Sequence, residues 1–547
     1  MGRDMTPRND ASSSHPPCRA STTASDAISR SDTRAVTIIV NTDEARVVDA
    51  SIAALRTSSA EIFARGSALV DVIVVAEHQP GARVQRVGSA IVRCLPRPRL
   101  RELMSSAASY ATRGARGVKR VHPPNWAVDA LAARGIWPGI RPLAGVVEHP
   151  IIRVDGSILS ARGYDKKTGL LCTSSLALPR IADRPTAHDV RDAVAALSDV
   201  VCDFPFPTAS DRAAWLATLL TLVSRFAIEG PTPFNAIDAN TPGAGKTLLA
   251  DLLGCIVHGR PLARATYSPD PNEMRKLITS IAIEALPAVL FDNIDCTIGD
   301  RSLAAVLTAT EWRDRVLGRN GLITVPWDTV LIGTGNGLTF TRELSRRTLA
   351  SRLRCDDEQP EVRHTFRHPD LSRWVTAERA RLLAAVLTIL RGYVAAGRPD
   401  MRLPAWGSFE AWSALVRSAI VWALDVDPCE ARLGLPKVDV ETEATAAFLH
   451  ALFSVQEYID PQGRGVTTKS IFAYLARANP VDFVHAMELL CDCPRNVLPK
   501  PRALGMHLHH LRDRVVAGYR LVRVGVGGDL IRWRVEQVVR ASPRQDA

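Results

Sequence analysis

Asn240-Thr241-Pro242-Gly243-Ala244-Gly245-Lys246-Thr247, the run NTPGAGKT, joins the apolar stretch PFNAIDA to LLADLLGCIVHG, a helix-periodic segment beginning at Leu248. Strand, glycine-rich turn and helix in that order are what a phosphate-binding loop requires. Gly243 and Gly245 let the backbone curl so that its N–H groups converge on an anion. The Lys246 ammonium is expected to reach the β- and γ-phosphates of ATP and the Thr247 hydroxyl to ligate Mg²⁺, with the helix N-terminus adding partial positive charge. Expected nucleotide contacts are thus Asn240, Thr241, Pro242, Gly243, Ala244, Gly245, Lys246, Thr247 and Leu248. Asn240 stands where GxxxxGK[ST] has its first glycine, and asparagine is expected to serve because it tolerates left-handed backbone angles.

Two further apolar runs end in polar tips. AVLFDNID reads as a strand delivering Asp292, expected to hold Mg²⁺ through water, and TVLIGTGN as a strand delivering Asn336, expected to orient an attacking water. The following TRELSRRTLASRLR reads as a helix dense in arginine. In a ring, Arg346 or Arg347 would reach a neighbour's γ-phosphate; the other reading is a solvated helix face.

The chain has 547 residues, 46% of them hydrophobic, enough for several domains and cores. The best membrane-span candidate, Trp215 to Phe226, is short and carries Arg225. The first residues mix charge with Ser and Pro where a signal peptide needs an apolar centre, so a soluble, cytoplasmic protein is expected. Ten cysteines are scattered, and Cys491 and Cys493, near His507, His509 and His510, lack a second pair at metal-ligand spacing, so reduced thiols are expected. Net charge is +11, and from Pro494 onward eleven basic residues face four acidic ones, which implies a polyanionic partner, DNA before membrane.

The order of GAGKT at 243–247, LFDN at 290–293, TGN at 334–336 and RELSRR at 342–347 resembles the superfamily 3 helicases and their AAA+ relatives, especially the helicase portions of phage and mobile-element primase/helicase proteins. The resemblance spans about residues 205–400 and implies ATP-driven translocation on single-stranded DNA by a ring, usually a hexamer. It also implies a hairpin aimed into the ring's pore. Here RDRVLGRNGLITVPW supplies Asn320-Gly321, itself strong hairpin chemistry, with Arg319 at the tip and Arg315 on the approaching strand as DNA contacts. One departure is Asn293, which replaces the acid that often follows the Mg²⁺-binding Asp, so the general base falls to Asp295 or Glu311. No clustered acidic motif in the first 200 residues supports primer synthesis.

The expected fold is α/β and multidomain, a central P-loop NTPase (AAA+-like) core with a helical lid and a C-terminal winged-helix-like module. Its parts are a disordered tail (1–34), a small α/β module (35–120) built on AVTIIV and DVIVVAE, a β-rich connector and helix (121–204), the ATPase core (205–368), a lid (369–436) and a basic DNA-binding module (437–547). The basic stretch Arg93 to Arg120 reads as linker or nucleic-acid contact. In the last module Arg502 to Arg514, including Arg512 and Arg514, would enter a major groove, while Arg532 and Arg534 on a hairpin touch phosphate. The functional expectation is an ATP-dependent DNA helicase or replication ATPase of a phage or integrated mobile element. Alternatives are a nucleotide-gated DNA-binding or regulatory protein and a loader ATPase, neither of which unwinds duplex.

Overall fold

The computed structural model describes residues 36–58, 61–74, 89–315, 322–357, 360, 363, 365–434, 440–478, 480–491, 493, 497–527 and 530–538. The tail at 1–34, Arg319 with the Asn320-Gly321 turn, and Asp529 of the last expected turn lie outside these residues. The chain is mixed α/β and multidomain, with several separate sheets.

Buried apolar runs build the central sheet. Helix α1 (Ala209–Ser224) starts where Thr208 Oγ1 accepts from Asp211 N at 3.1 Å, and leads to β1 (Phe234–Ala239) and α2 (Lys246–His258). Then come β2 (Ala263–Ala265), α3 (Pro271–Glu284), β3 (Ala288–Ile294), a hairpin of β4 (Glu311–Arg315) and β5 (Leu322–Pro326), β6 (Val330–Asn336) and β7 (Thr348–Leu353). The sheet order is β2-β3-β6-β1-β7, and every neighbouring pair is parallel. Every residue of β1 is buried, as expected of a parallel sheet covered on both faces. Parallel pairing also puts the C-terminal ends of β1, β3 and β6 on one edge, where α/β sheets bind ligands.

The run TRELSRRTLASRLR departs from its predicted helix. Helix covers only Arg342–Ser345, and Thr348–Leu353 is β7, paired with β1 from Phe234↔Thr348 to Ala239↔Leu353. Leu349, Ala350 and Leu353 are buried there, and the open edge of β1 supplies a backbone ladder that outweighs helix propensity. The long periodic stretch after Pro369 divides at Glu378 into α4 (Leu371–Ala377) and α5 (Arg379–Ala395), which pack with α1 and α2 in one core.

The C-terminal segment comprises α6 (Val440–Ile459), α7 (Thr468–Ala478), α8 (Val481–Leu490), α9 (Pro501–Leu511) and an antiparallel pair, β8 (Tyr519–Gly527) with β9 (Leu530–Gln537). Phe448, Ile471, Met487, Leu508 and Trp533 meet in its core. Helix α9 ends at Leu511, short of the Arg514 end of the expected groove-binding segment, and Asp513 takes a left-handed backbone, φ +60°, leaving Arg512 and Arg514 beyond the helix.

The predicted module at 35–120 is divided differently. One compact unit joins the strand Thr37–Ile39 and helix Glu44–Thr57 to helices Arg97–Ala107 and Asn125–Ala133 and the hairpin Ser109–Gly114/Gly117–Val121. Tyr110 Oη donates to Ser51 Oγ at 2.8 Å inside it. The strand Ala68–Val74, which carries DVIV, groups instead with the second unit, between Ile62–Arg65 and Ala90–Cys94. A β-branched run announces a strand without naming its partner. The basic stretch from Arg93 is folded rather than a linker: Arg93 pairs with Asp71 at 2.6 Å and Arg97 with Asp129 at 3.0 Å. Among the described residues no helix is long and apolar enough to cross a membrane.

Candidate functional site

The turn between β1 and α2 rests on two glycines in left-handed backbone, Gly243 at φ +77° and Gly245 at φ +89°. An L-residue at either position is strained, and a Cβ on Gly245 would also stand 3.0 Å from the Phe204 ring. Lys246 opens the helix and is almost buried; its Nζ donates to Asn336 Oδ1 and, at 3.3 Å, to Thr241 O. Burial lowers the Lys246 pKa, while Asp238 and Asp292 pull it back up. Asn240 works differently from its prediction. It is not among the residues with positive φ; its side chain instead accepts from Cys355 N at 2.9 Å and donates to Cys355 O at 2.8 Å. The loop is thereby clamped to the chain leaving β7.

Thr247 Oγ1 donates to Asp292 Oδ1 at 3.2 Å, so the two expected Mg²⁺ residues are neighbours. Asp292 lies at a register shift in β3, followed by Asn293 at φ +57°, which bends the strand end toward the loop. Three residues that sequence reasoning missed complete the group. Thr334 Oγ1 donates to Asp292 Oδ1 at 2.7 Å and accepts from Asn293 N at 3.0 Å. Arg264, on the short edge strand β2, contacts Asp292 Oδ2 at 3.2 Å and Asp251 Oδ2 at 2.7 Å. Burial and the nearby Asp292 raise the Asp251 pKa, with Arg264 opposing. Thr334 was findable two residues before Asn336 on the same strand face, and Asp251 one turn after Thr247 on the same helix face. Nothing in the three-residue strand around Arg264 signals its destination.

Beside the loop lies an open cleft of about 610 Å³ whose walls include Phe204, Pro205, Leu248, Phe366 and His368. The His368 ring stacks on Trp374 at 3.8 Å, and the Arg363 guanidinium sits 5.0 Å above Phe366. Flat, partly apolar walls next to a phosphate loop suit a planar base.

The remaining predicted residues fall into two groups. Asp295 and Glu311 are exposed, and neither hydrogen-bonds to Lys246, Thr247, Asp292 or Asn336 among the described residues. Arg347 is turned inward, bonded to Ala304 O, to Thr308 Oγ1 at 3.2 Å and to Glu343 at 2.8 Å. Arg346 is exposed, its carbonyl held by Trp406 Nε1 at 2.7 Å and by Arg432 at 2.9 Å. Of the two, only Arg346 presents a guanidinium to solvent.

The predicted hairpin forms, with Glu311↔Pro326 through Arg315↔Leu322 paired, and Arg315 is exposed at its described end. Its first strand is anchored to α3. Asp314 is buried, accepts from Arg275 Nε at 3.0 and 2.9 Å and from Thr279 Oγ1 at 2.7 Å, and its pKa is lowered to about 2, chiefly by Arg275. In the C-terminal segment Arg512 pairs with Asp513 at 2.9 Å, and Arg514 follows it, exposed. Arg532 donates to Gly465 O at 3.1 Å and Arg534 to Gly463 O, so both brace the loop before α7.

A scan against protein-family models finds no match, and neither does a search of curated proteins. Among solved structures, the apo C-terminal region of NrS-1 aligns over 80% of this chain and 98% of its own, at 11% identity and TM-score 0.31. SCCmec type IV Cch, an active helicase, aligns over 88% and 98% at 10% identity and TM-score 0.31. JCV helicase aligns over 46% and 73% at 13% identity and TM-score 0.20. Values this low leave the site's own geometry as the ground for a functional reading.

Proposed function

We propose that this chain is a P-loop, AAA+-like ATPase that couples ATP hydrolysis to movement on DNA, as a helicase or replication ATPase acting in a homo-oligomeric ring. The observation that carries the reading is the convergence of Lys246, Thr247, Asp292, Thr334 and Asn336 at one edge of a parallel sheet, beside a turn built on two left-handed glycines. The turn's amides and Lys246 would hold the triphosphate, and the aromatic cleft would take the adenine. Thr247 and Asp292 offer hard oxygen donors side by side, a set that suits Mg²⁺. That ion would neutralise charge on the β- and γ-phosphates. Thr334 fixes the Asp292 carboxylate, and the Asn336 amide is placed to orient water once Lys246 turns to phosphate. Arg346 is the candidate to act on a neighbouring subunit's nucleotide.

The DNA side of the proposal draws on the anchored hairpin carrying Arg315, on Arg319 in the sequence that joins its strands, and on the basic C-terminal segment, whose helices followed by a hairpin fit a winged helix. Arg512 and Arg514 lie exposed past α9 and suit phosphate, and Arg532 and Arg534 would have to release their loop carbonyls to do the same. One observation favours the second reading, ATP-gated assembly on DNA without unwinding: Asn293 replaces an acid, and Asp295 and Glu311 do not reach the group. The purified chain should show DNA-stimulated ATPase activity that Lys246→Ala abolishes. An unchanged rate in that variant would remove the ATPase reading, and assembly on forked duplex at saturating ATP without strand separation would decide for the gated binder.

A further inference from the structure

Arg264 has no part in the scheme above, yet it sits inside the site. Its strand, β2, is the edge of the sheet beside β3, with Arg264 in register with Leu290, two residues before Asp292. From there the guanidinium spans two carboxylates: Nε lies 3.2 Å from Asp292 Oδ2, and an Nη lies 2.7 Å from Asp251 Oδ2. The other Asp292 oxygen already accepts from Thr247 and Thr334. Both oxygens of the expected cation-binding carboxylate are therefore engaged by the protein itself. Asp251 and Asp292 are mostly buried while Arg264 is half-exposed, so the arginine is the member free to leave. Two carboxylates this close repel unless a cation lies between them, and either the guanidinium or a divalent ion can fill that role.

We propose that Arg264 is a built-in counter-ion that competes with the divalent cation for Asp292, holding the carboxylate in place before the metal–nucleotide complex arrives and setting how tightly the metal is then held. The inference rests on the nucleotide reading above. Arg264 is a positioning residue in this scheme, acting through Asp292.

The test uses the full chain saturated with a non-hydrolysable ATP analogue and titrated with Mn²⁺, free Mn²⁺ being read by electron paramagnetic resonance. Arg264→Gln is expected to bind Mn²⁺ roughly fivefold more tightly, the scale of one partly exposed charge contact. Arg264→Lys keeps the charge and cannot bridge both carboxylates, so it is expected to shift affinity in the same direction. If Arg264→Gln fails to fold, the lysine variant carries the test alone. Unchanged or weaker Mn²⁺ binding in a folded variant, or a lysine variant identical to the parent, overturns the counter-ion role. Binding of a fluorescent ATP analogue in Mg²⁺ separates the two failures: a parent chain that takes no nucleotide sinks the site reading and this inference with it, whereas nucleotide binding with indifferent Mn²⁺ affinity sinks only the inference.

Discussion

Replacing Asp314 by asparagine should loosen the β4–β5 hairpin without unfolding the rest of the chain. Asp314 is buried near the turn-side end of β4, between the Arg275 guanidinium and the Thr279 hydroxyl of α3. Its pKa falls from 3.8 to about 2. A shift of that size corresponds to roughly 2.5 kcal/mol, but Arg275 is half-exposed and solvent screens the pair, so about 1–2 kcal/mol is the reasonable figure. The depressed folded-state pKa fixes the sign. The contribution is complete above the unfolded carboxylate's value, near pH 4, and is lost as pH falls through about 2. At neutral pH the charge is fully present, and Asp314→Asn removes it. Hydrogen exchange reads the hairpin locally, and amides of β4 and β5 should exchange about 5–30 times faster in the variant. Amides of β1 and β6 should be unaffected. Hairpin exchange within twofold of the parent chain would refute the reasoning, because the carboxylate would then not be what holds the hairpin.

Gly245→Ala places a Cβ in left-handed backbone and against Phe204, so nucleotide affinity should fall about tenfold while the melting temperature barely moves, which calorimetry checks. Thr334→Val leaves Asp292 short of a donor and Asn293 N without its acceptor, a loss of about 1–3 kcal/mol, and kcat should fall more than KM rises in steady-state ATPase assays. Asn240→Ala should weaken nucleotide binding by roughly fivefold by freeing the loop from Cys355, and Asn240→Gly, the residue usual in this turn, should not restore it. Equal binding by the glycine variant and the parent chain would mean that the side-chain clamp does nothing.

Local signals explain why the loop and the strands ending in Asp292 and Asn336 were legible: buried parallel strands are continuous apolar runs, and the turn needs glycines at fixed offsets. Pairing is not local, and there the sequence reading went astray. TLASRL has a helix-compatible composition and becomes β7 only because β1 has an open edge. AVTIIV and DVIV look alike yet enter different sheets. The role of Asn240 was misjudged for the same reason, since its partner lies 115 residues away and the motif offers only a backbone argument.

Helix α3 holds the hairpin from several positions along its length. It starts six residues after Arg264, where Asp270 Oδ1 accepts from Asn272 N at 2.8 Å. One of its faces then meets the hairpin: Arg275 and Thr279, one turn apart, both hold Asp314, and Trp312 Nε1 donates to Thr279 Oγ1 at 3.0 Å. Three residues onward, Ala282 O accepts from Arg65 at 3.0 Å, and the same guanidinium donates to Pro326 O at the end of β5 at 3.1 Å. Charge-assisted bonds of this kind resist independent movement of the two elements. A displacement of α3 would therefore carry the hairpin with it. Residues 266–270 separate β2 from that helix, so the Arg264 variants, which alter the occupant of Asp292 without touching α3, should leave the hairpin's hydrogen exchange unchanged.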